Sequence, residues 1–150
     1  VMGLFDGIGS SSKGSTAEVA KYLGLPVILI VDSRGKAASL AALIEGFKEH
    51  DKNLEIAGIV LNNIQTSRHE KILLEVLNQI DIKHLGSLPK CEDLNLPSRH
   101  LGLAPAHEIK DINIKIEKWA SIAKSNLDIE NLSKLLLSPQ PTFNNTKFFS

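Results

Sequence analysis

The sequence has one cysteine, one methionine, one tryptophan and one tyrosine, and a formal net charge of zero in 150 residues. A lone Cys91 excludes an internal disulfide and suits a reducing compartment, so the expected localisation is cytoplasmic. Balanced charge and a pI near 7.1 leave no basic footprint for nucleic acid or an anionic membrane. No apolar run approaches the roughly 20 residues that a membrane-spanning helix requires, and no signal-peptide pattern is visible. What remains is ordinary for a globular domain, with 43% hydrophobic and 23% charged residues in one domain's length. The first residue is Val1, already inside a strand-like run, so the chain reads as beginning in mid-domain.

The hydrophobic pattern alternates between two kinds of element. Val1–Phe5 reads as a strand that exits into Asp6, followed by a Ser/Gly loop and a helix from Thr16 to Leu23, closed by Gly24 as a C-cap. After Pro26 the β-branched run VILIVD has no polar alternation, which predicts a parallel strand buried on both faces and ending in Asp32. Lys36–His50 is expected to be helical, with Ala38, Ala41, Ala42 and Phe47 as the packing stripe. Ile56–Leu61 repeats the strand pattern and closes on Asn62-Asn63. A helix follows from Arg68 to about Ile80, its apolar face carried by Ile72, Leu73, Val76, Leu77 and Ile80. Ile82–Leu88 is a fourth strand. This order predicts βαβ units with right-handed crossovers around a parallel sheet. From Lys90 to His107 the period is lost, and the stretch reads as a long ordered loop held down by its leucines. Glu108–Lys124 is an amphipathic helix with Ile109, Ile112, Ile116 and Trp119 inward, Trp119 being assigned to the core. Asp128 is an N-cap for a last short helix to about Leu137, and residues 138–150 are a linker or frayed tail.

Several residues could carry chemistry. Asp6 and Asp32 both lie at predicted strand exits, the edge where open α/β sheets bind ligands. Ser15 and Thr16 open a helix whose free N–H groups favour anions. From the pattern alone two readings of this stretch stand level, because Asp6-Gly7 also suits a simple turn and Ser15 or Thr16 a simple cap. Asn62 could present a donor and an acceptor to a base edge, or make an Asx-turn. Arg99-His100 could meet an anion or stand in solvent. Gly9–Thr16 resembles a P-loop but lacks the order Gly-Lys-Ser/Thr, since Lys13 precedes Gly14. The five histidines share no metal-ligand spacing.

Six blocks carry a more specific signal: VMGLFDG (1–7), GSTAEVAKYLGLPVILIVDSRG (14–35), AGIVLNN (57–63), SRHEKILLEVL (67–77), LGSLPK (85–90) and LNLPSRHLGLAPA (94–106). In this order they resemble the synthetase domain of the cobyrinic acid a,c-diamide synthases, glutamine-dependent amidoligases of cobalamin biosynthesis. The resemblance implies an α/β fold, a three-layer α/β/α sandwich with a mainly parallel sheet. It is P-loop NTPase-like, of the dethiobiotin-synthetase kind, and incomplete at its amino terminus. A partial synthetase domain would occupy residues 1–137. The implied reaction activates the a and c acetates of the corrinoid with ATP and Mg2+, as acyl phosphates that glutamine-derived ammonia attacks. By position, Asp6 is expected near magnesium and the reacting carboxylate, Ser15 and Thr16 at the helix start facing the site, and Asn62 and Pro89 by the adenine. Asp32, Arg34, Arg99 and His100 match signature positions of the nucleotide-binding region.

The departures from the family carry expectations of their own. The P-loop strand, the Glu-Gly before Val-Met-Gly and the glutaminase domain are not in this sequence, so the chain alone is expected not to make the diamide. Its partners would then be a separate amino-terminal segment, a glutaminase domain or a second copy. The alternatives are a non-catalytic interaction module with open sheet edges and a partitioning-type P-loop ATPase. The motif LPSRHLGLAPA speaks against the second of these.

Overall fold

A computed structural model describes residues 3–91, 98–99, 102–103, 109 and 111–136. The elements are α1 (Thr16–Leu23), β1 (Val27–Asp32), α2 (Ser39–His50), β2 (Ile56–Ile64), α3 (Ser67–Gln79), β3 (His84–Pro89), β4 (Ser98–Arg99), β5 (Gly102–Leu103), α4 (Ile112–Asn126) and α5 (Ile129–Leu135). Strands β1, β2 and β3 form a parallel sheet in that order, while β4 and β5 make a separate antiparallel pair. The expected α/β fold with a parallel sheet is what the chain forms.

One face of the sheet holds the main core. Leu29 and Val31 alternate along β1 in register with Ile59 and Leu61 of β2. These four pack with Leu40 and Ile44 of α2 and with Leu73, Val76 and Leu77 of α3. The i, i+4 spacing of Leu40 and Ile44 makes them the buried stripe of α2, with Ala41 and Phe47 beside it, whereas Ala38 and Ala42 are exposed. A smaller cluster of Ala17, Ala20 and Leu54 seats α1 near Val27, where β1 begins.

The structure corrects several expectations. Gly3–Phe5 is a turn closed by Asp6 N–H donating to the Gly3 carbonyl at 3.3 Å, not a strand; Val1 and Met2 lie outside the described residues. Its apolar side chains are used for packing instead: Leu4 touches both clusters, and the Phe5 ring stacks on Phe47 at 5.8 Å between centroids. β1 is not buried on both faces, since Ile30 is 66% exposed. β2 is the central strand and does bury Gly58–Leu61, but β1 lies at the border of the described sheet. Helix α2 starts at Ser39, not Lys36, because the chain first turns through Lys36 N–H to the Ser33 carbonyl. Ile72 and Ile116 are exposed, and Trp119 is only partly buried, so α4 contributes no fully buried residue. Of the expected ordered loop, the described residues include only Lys90 and Cys91, the backbone of β4 and β5, and no packed leucine side chain.

The start and stop signals of α1 and α5 behave as read. Ser15 caps α1 and Gly24 closes it at φ 63°. Asp128 caps α5 by accepting from Asn131 N–H.

Candidate functional site

The carboxyl ends of β1 and β2 bring Asp32 and Asn62 side by side as register partners. Just beyond them, β2 has one residue more than β3 between its Leu61–Ser87 and Ile64–Pro89 pairings. Asn63 sits in this irregularity at φ 62°, a conformation that Asn tolerates better than most side chains. There its amide Nδ2 donates to Asp32 Oδ1 at 3.2 Å, tying the two strand ends together. Asn62 itself is spent locally, its Oδ1 accepting from Asn63 N–H at 2.9 Å. This bond reaches only the next residue, so it is not the Asx-turn considered for Asn62 on sequence grounds, which closes on the N–H two residues on.

Asp32 is heavily engaged. Arg34 Nη2 approaches its Oδ2 at 2.5 Å, Arg34 Nε reaches both oxygens at 2.9 and 3.0 Å, and the Arg34 N–H donates at 3.1 Å. The Arg34 side chain first, its backbone N–H second and Asn63 next hold the Asp32 carboxyl well below the usual carboxylate range. Ser33, fully buried, fixes the turn by donating its N–H to the Asn62 carbonyl at 2.9 Å. His69 of α3 fastens the same region, with Nε2 2.8 Å from the Lys36 carbonyl oxygen.

Next along the rim, between the ends of β2 and β3 and the start of α3, lies a cavity of about 260 Å³. Ile64, Thr66, Ser67, Glu70, Ser87 and Pro89 are among its lining residues. Pro89 is the register partner of Ile64, and Lys90 N–H donates to the Ile64 carbonyl at 2.8 Å. Thr66 caps α3 through His69 N–H.

The remaining sequence candidates fall elsewhere. Ser15 is fully buried and accepts from Glu18 N–H at 3.2 Å, while the Glu18 carboxylate accepts from Gly14 N–H. A carboxylate therefore already stands at the helix start where a phosphate was expected, and Thr16 is simply the first helical residue. Asp6 is exposed, and its neighbour Phe5 packs on Phe47 and His50 in the last turn of α2. That turn runs back to the beginning of β2, so the residues around Asp6 lie by the amino-terminal ends of the strands. The expected common rim holds for Asp32 and Asn62 but does not include Asp6. Arg99 is described only as backbone paired with Gly102, and His100 lies outside the described residues.

The described residues do not gather a magnesium site. Asp6 stands apart, Asp32 is taken up by Arg34 and Asn63, and no group of three or more His, Cys, Asp or Glu side chains assembles among them. The cavity by Pro89 is lined mostly by polar residues, with Ile64 and Pro89 as its apolar part. Sequence reasoning missed Asn63, Ser33 and the pair His84–Ser87, whose imidazole Nε2 lies 2.9 Å from the hydroxyl. The Asn doublet at a strand end was the available signal for Asn63. The other two depend on tertiary contact. No helix of the described residues is long and apolar enough to cross a membrane.

A family model described as an AAA domain matches residues 6–98. Curated relatives agree with the resemblance read from the sequence blocks. The chain is 42% identical over 140 residues to the cobyrinate a,c-diamide synthase of Caldanaerobacter subterraneus subsp. tengcongensis, covering 93% of this chain and 31% of that protein. To the hydrogenobyrinate a,c-diamide synthase of Brucella anthropi it is 41% identical, covering 93% of this chain and 32% of the relative. A cobyrinate a,c-diamide synthase of Clostridium tetani is 44% identical over 90% of this chain and 30% of its own length. The chain thus spans about a third of the length of the curated relatives it matches. No solved structure matches.

Proposed function

The chain belongs to the AAA-domain family, and from that premise we propose that it is the base-binding part of an amidoligase. This enzyme would convert the a and c acetate carboxylates of a cobyrinate-type corrinoid into amides. Relatives named for that reaction on cobyrinate or hydrogenobyrinate support the reading. The observation that carries it is the cavity beside Pro89, placed where the carboxyl ends of β2 and β3 meet the start of α3.

In this reading Ile64 and Pro89 hold the flat face of the base, and the polar groups of Thr66, Ser67 and Ser87 take its edge. Bound ATP supplies the phosphoryl group that makes a carboxylate oxygen a leaving group, and glutamine-derived ammonia completes the amide. The chain's own contribution is positional. The Asp32–Asn63 bond and the Ser33 anchor fix the β1 and β2 ends next to the site. Without a Gly-Lys-Ser/Thr loop of its own, and with Glu18 at the α1 start, the chain alone is expected to form no diamide.

Titration of the 15N-labelled chain with magnesium–ATP tests the base site. Amide shifts are expected at Ile64–Ser67 and at Ser87, Leu88 and Lys90. Saturable shifts confined to other segments, or none at millimolar ATP, would refute the assignment.

A further inference from the structure

Besides the ends of β2 and β3 and the start of α3, the cavity has a wall from α4. Its last residue, Asn126, lines the cavity, although α4 lies outside residues 6–98, the stretch that matches the AAA-domain model. The backbone of Asn126 is seated on an irregularity in β3. There the register slips between the Ile59–His84 and Val60–Gly86 pairings, so that Leu85 and Gly86 together oppose one residue of β2. Gly86 takes φ 139°, and its lack of a side chain leaves room for the Asn126 carbonyl oxygen, which a Cβ there would strike. Just beyond, Leu127 bridges to Gly86, and Asp128 N–H donates to the Leu85 carbonyl at 2.9 Å.

The Asn126 side chain is held as well. Its Nδ2 donates to the Ile122 carbonyl at 2.8 Å. A carbonyl oxygen only accepts, so this contact settles which end of the amide is the nitrogen. Oδ1 keeps its lone pairs, with no hydrogen-bond partner among the described residues. A group fixed in advance loses little freedom when a ligand arrives. Charge points the same way, because Glu70 is the one charged residue lining the cavity. An ionised carboxylate only accepts, and it repels a phosphate. Acceptors without a cation suit the N–H groups of a base and not the phosphates of a nucleotide.

We propose that Asn126 is a specificity-determining residue of this cavity, its amide oxygen accepting from the exocyclic amine of a purine base. This rests on the reading of the cavity as a base site. Asn126 touches the ligand, while Ile122 and Gly86 act through it and are positioning residues.

The test compares adenosine with nebularine, the same purine riboside without the amine, by NMR titration of the whole chain followed at the Ser67 and Ser87 amides. Adenosine is expected to bind about tenfold more tightly. Asn126→Leu should abolish this preference by weakening adenosine alone, with nebularine unchanged. Asn126→Ala, which adds no bulk beside Gly86, should do the same and takes the place of the leucine variant if that chain does not fold. A preference that survives the substitution, or two affinities lowered by the same factor, would mean that Asn126 only closes the cavity, which overturns the proposal while the base site stands. Equal binding of the two nucleosides to the unaltered chain does the same. If neither nucleoside binds, the base site itself is refuted and the proposal falls with it.

Discussion

Replacing Gly86 by alanine should destabilise the chain more than a single methyl group suggests. The residue sits at φ 139°, where an L side chain is strained, and its added Cβ would lie 2.4 Å from the Asn126 carbonyl oxygen and 2.7 Å from Leu127 Cα. Backbone strain contributes roughly 1–3 kcal/mol, and forcing apart a packed contact about 1–3 kcal/mol more. The neighbours that must move are the bridge between Gly86 and Leu127 and the bond from Asp128 N–H to the Leu85 carbonyl at 2.9 Å. Relief by displacement therefore loosens the end of α4 and the start of α5. The expected loss is about 2–6 kcal/mol, a fall in Tm of roughly 4–24 °C for a chain of this size. Thermal unfolding followed by circular dichroism measures it. Gly46→Ala is the matched control: Gly46 lies within α2 with nothing within 4 Å of an added Cβ, so alanine should stabilise by roughly 0.5–1 kcal/mol. A Gly86→Ala chain as stable as the original, while Gly46→Ala behaves as expected, would refute the close-approach argument.

Two further outcomes are expected. Ser15→Ala removes the acceptor of Glu18 N–H and should cost about 0.5–2 kcal/mol in urea unfolding; no loss would mean that the cap contributes nothing. Asp32 titrates below its ordinary range in the folded chain, so its contribution is fully present above the unfolded value near 4 and is lost as pH falls through the folded one. Because the Asp32–Arg34 pair is largely exposed, that contribution is at most about 1 kcal/mol. Asp32→Ala should therefore be slightly less stable at pH 7, with the difference shrinking toward pH 2; a difference that widens on acidification contradicts the assignment.

Much of the fold was legible because its signals are local. Ser15, Gly24 and Asp128 announce helix ends through hydrogen bonds that reach only a few residues, and the apolar runs of β1 and β2 are long enough to be unambiguous. The failures share a physical cause, which is dependence on what lies alongside. The run at Val1–Phe5 has strand composition, but Gly3–Phe5 turns and its side chains pack on α2. Ile30 looks like a core residue in VILIVD, yet exposure is decided by the neighbours of β1 and not by its composition. At the candidate site, Asp32 and Asn62 were legible from their strand-end positions. His84 and Ser87 were not, since a period-two reading sends them to opposite faces and only the slip in register reunites them.

The sequential strand order has a kinetic consequence. Each parallel pairing closes a single crossover, so the entropy of bringing strands together is met in two modest instalments and not in one long-range step. The first unit, β1–α2–β2, already encloses Leu29, Val31, Leu40, Ile44, Ile59 and Leu61. During synthesis that unit can collapse before α3 and β3 have emerged, giving the later segments a finished surface on which to condense.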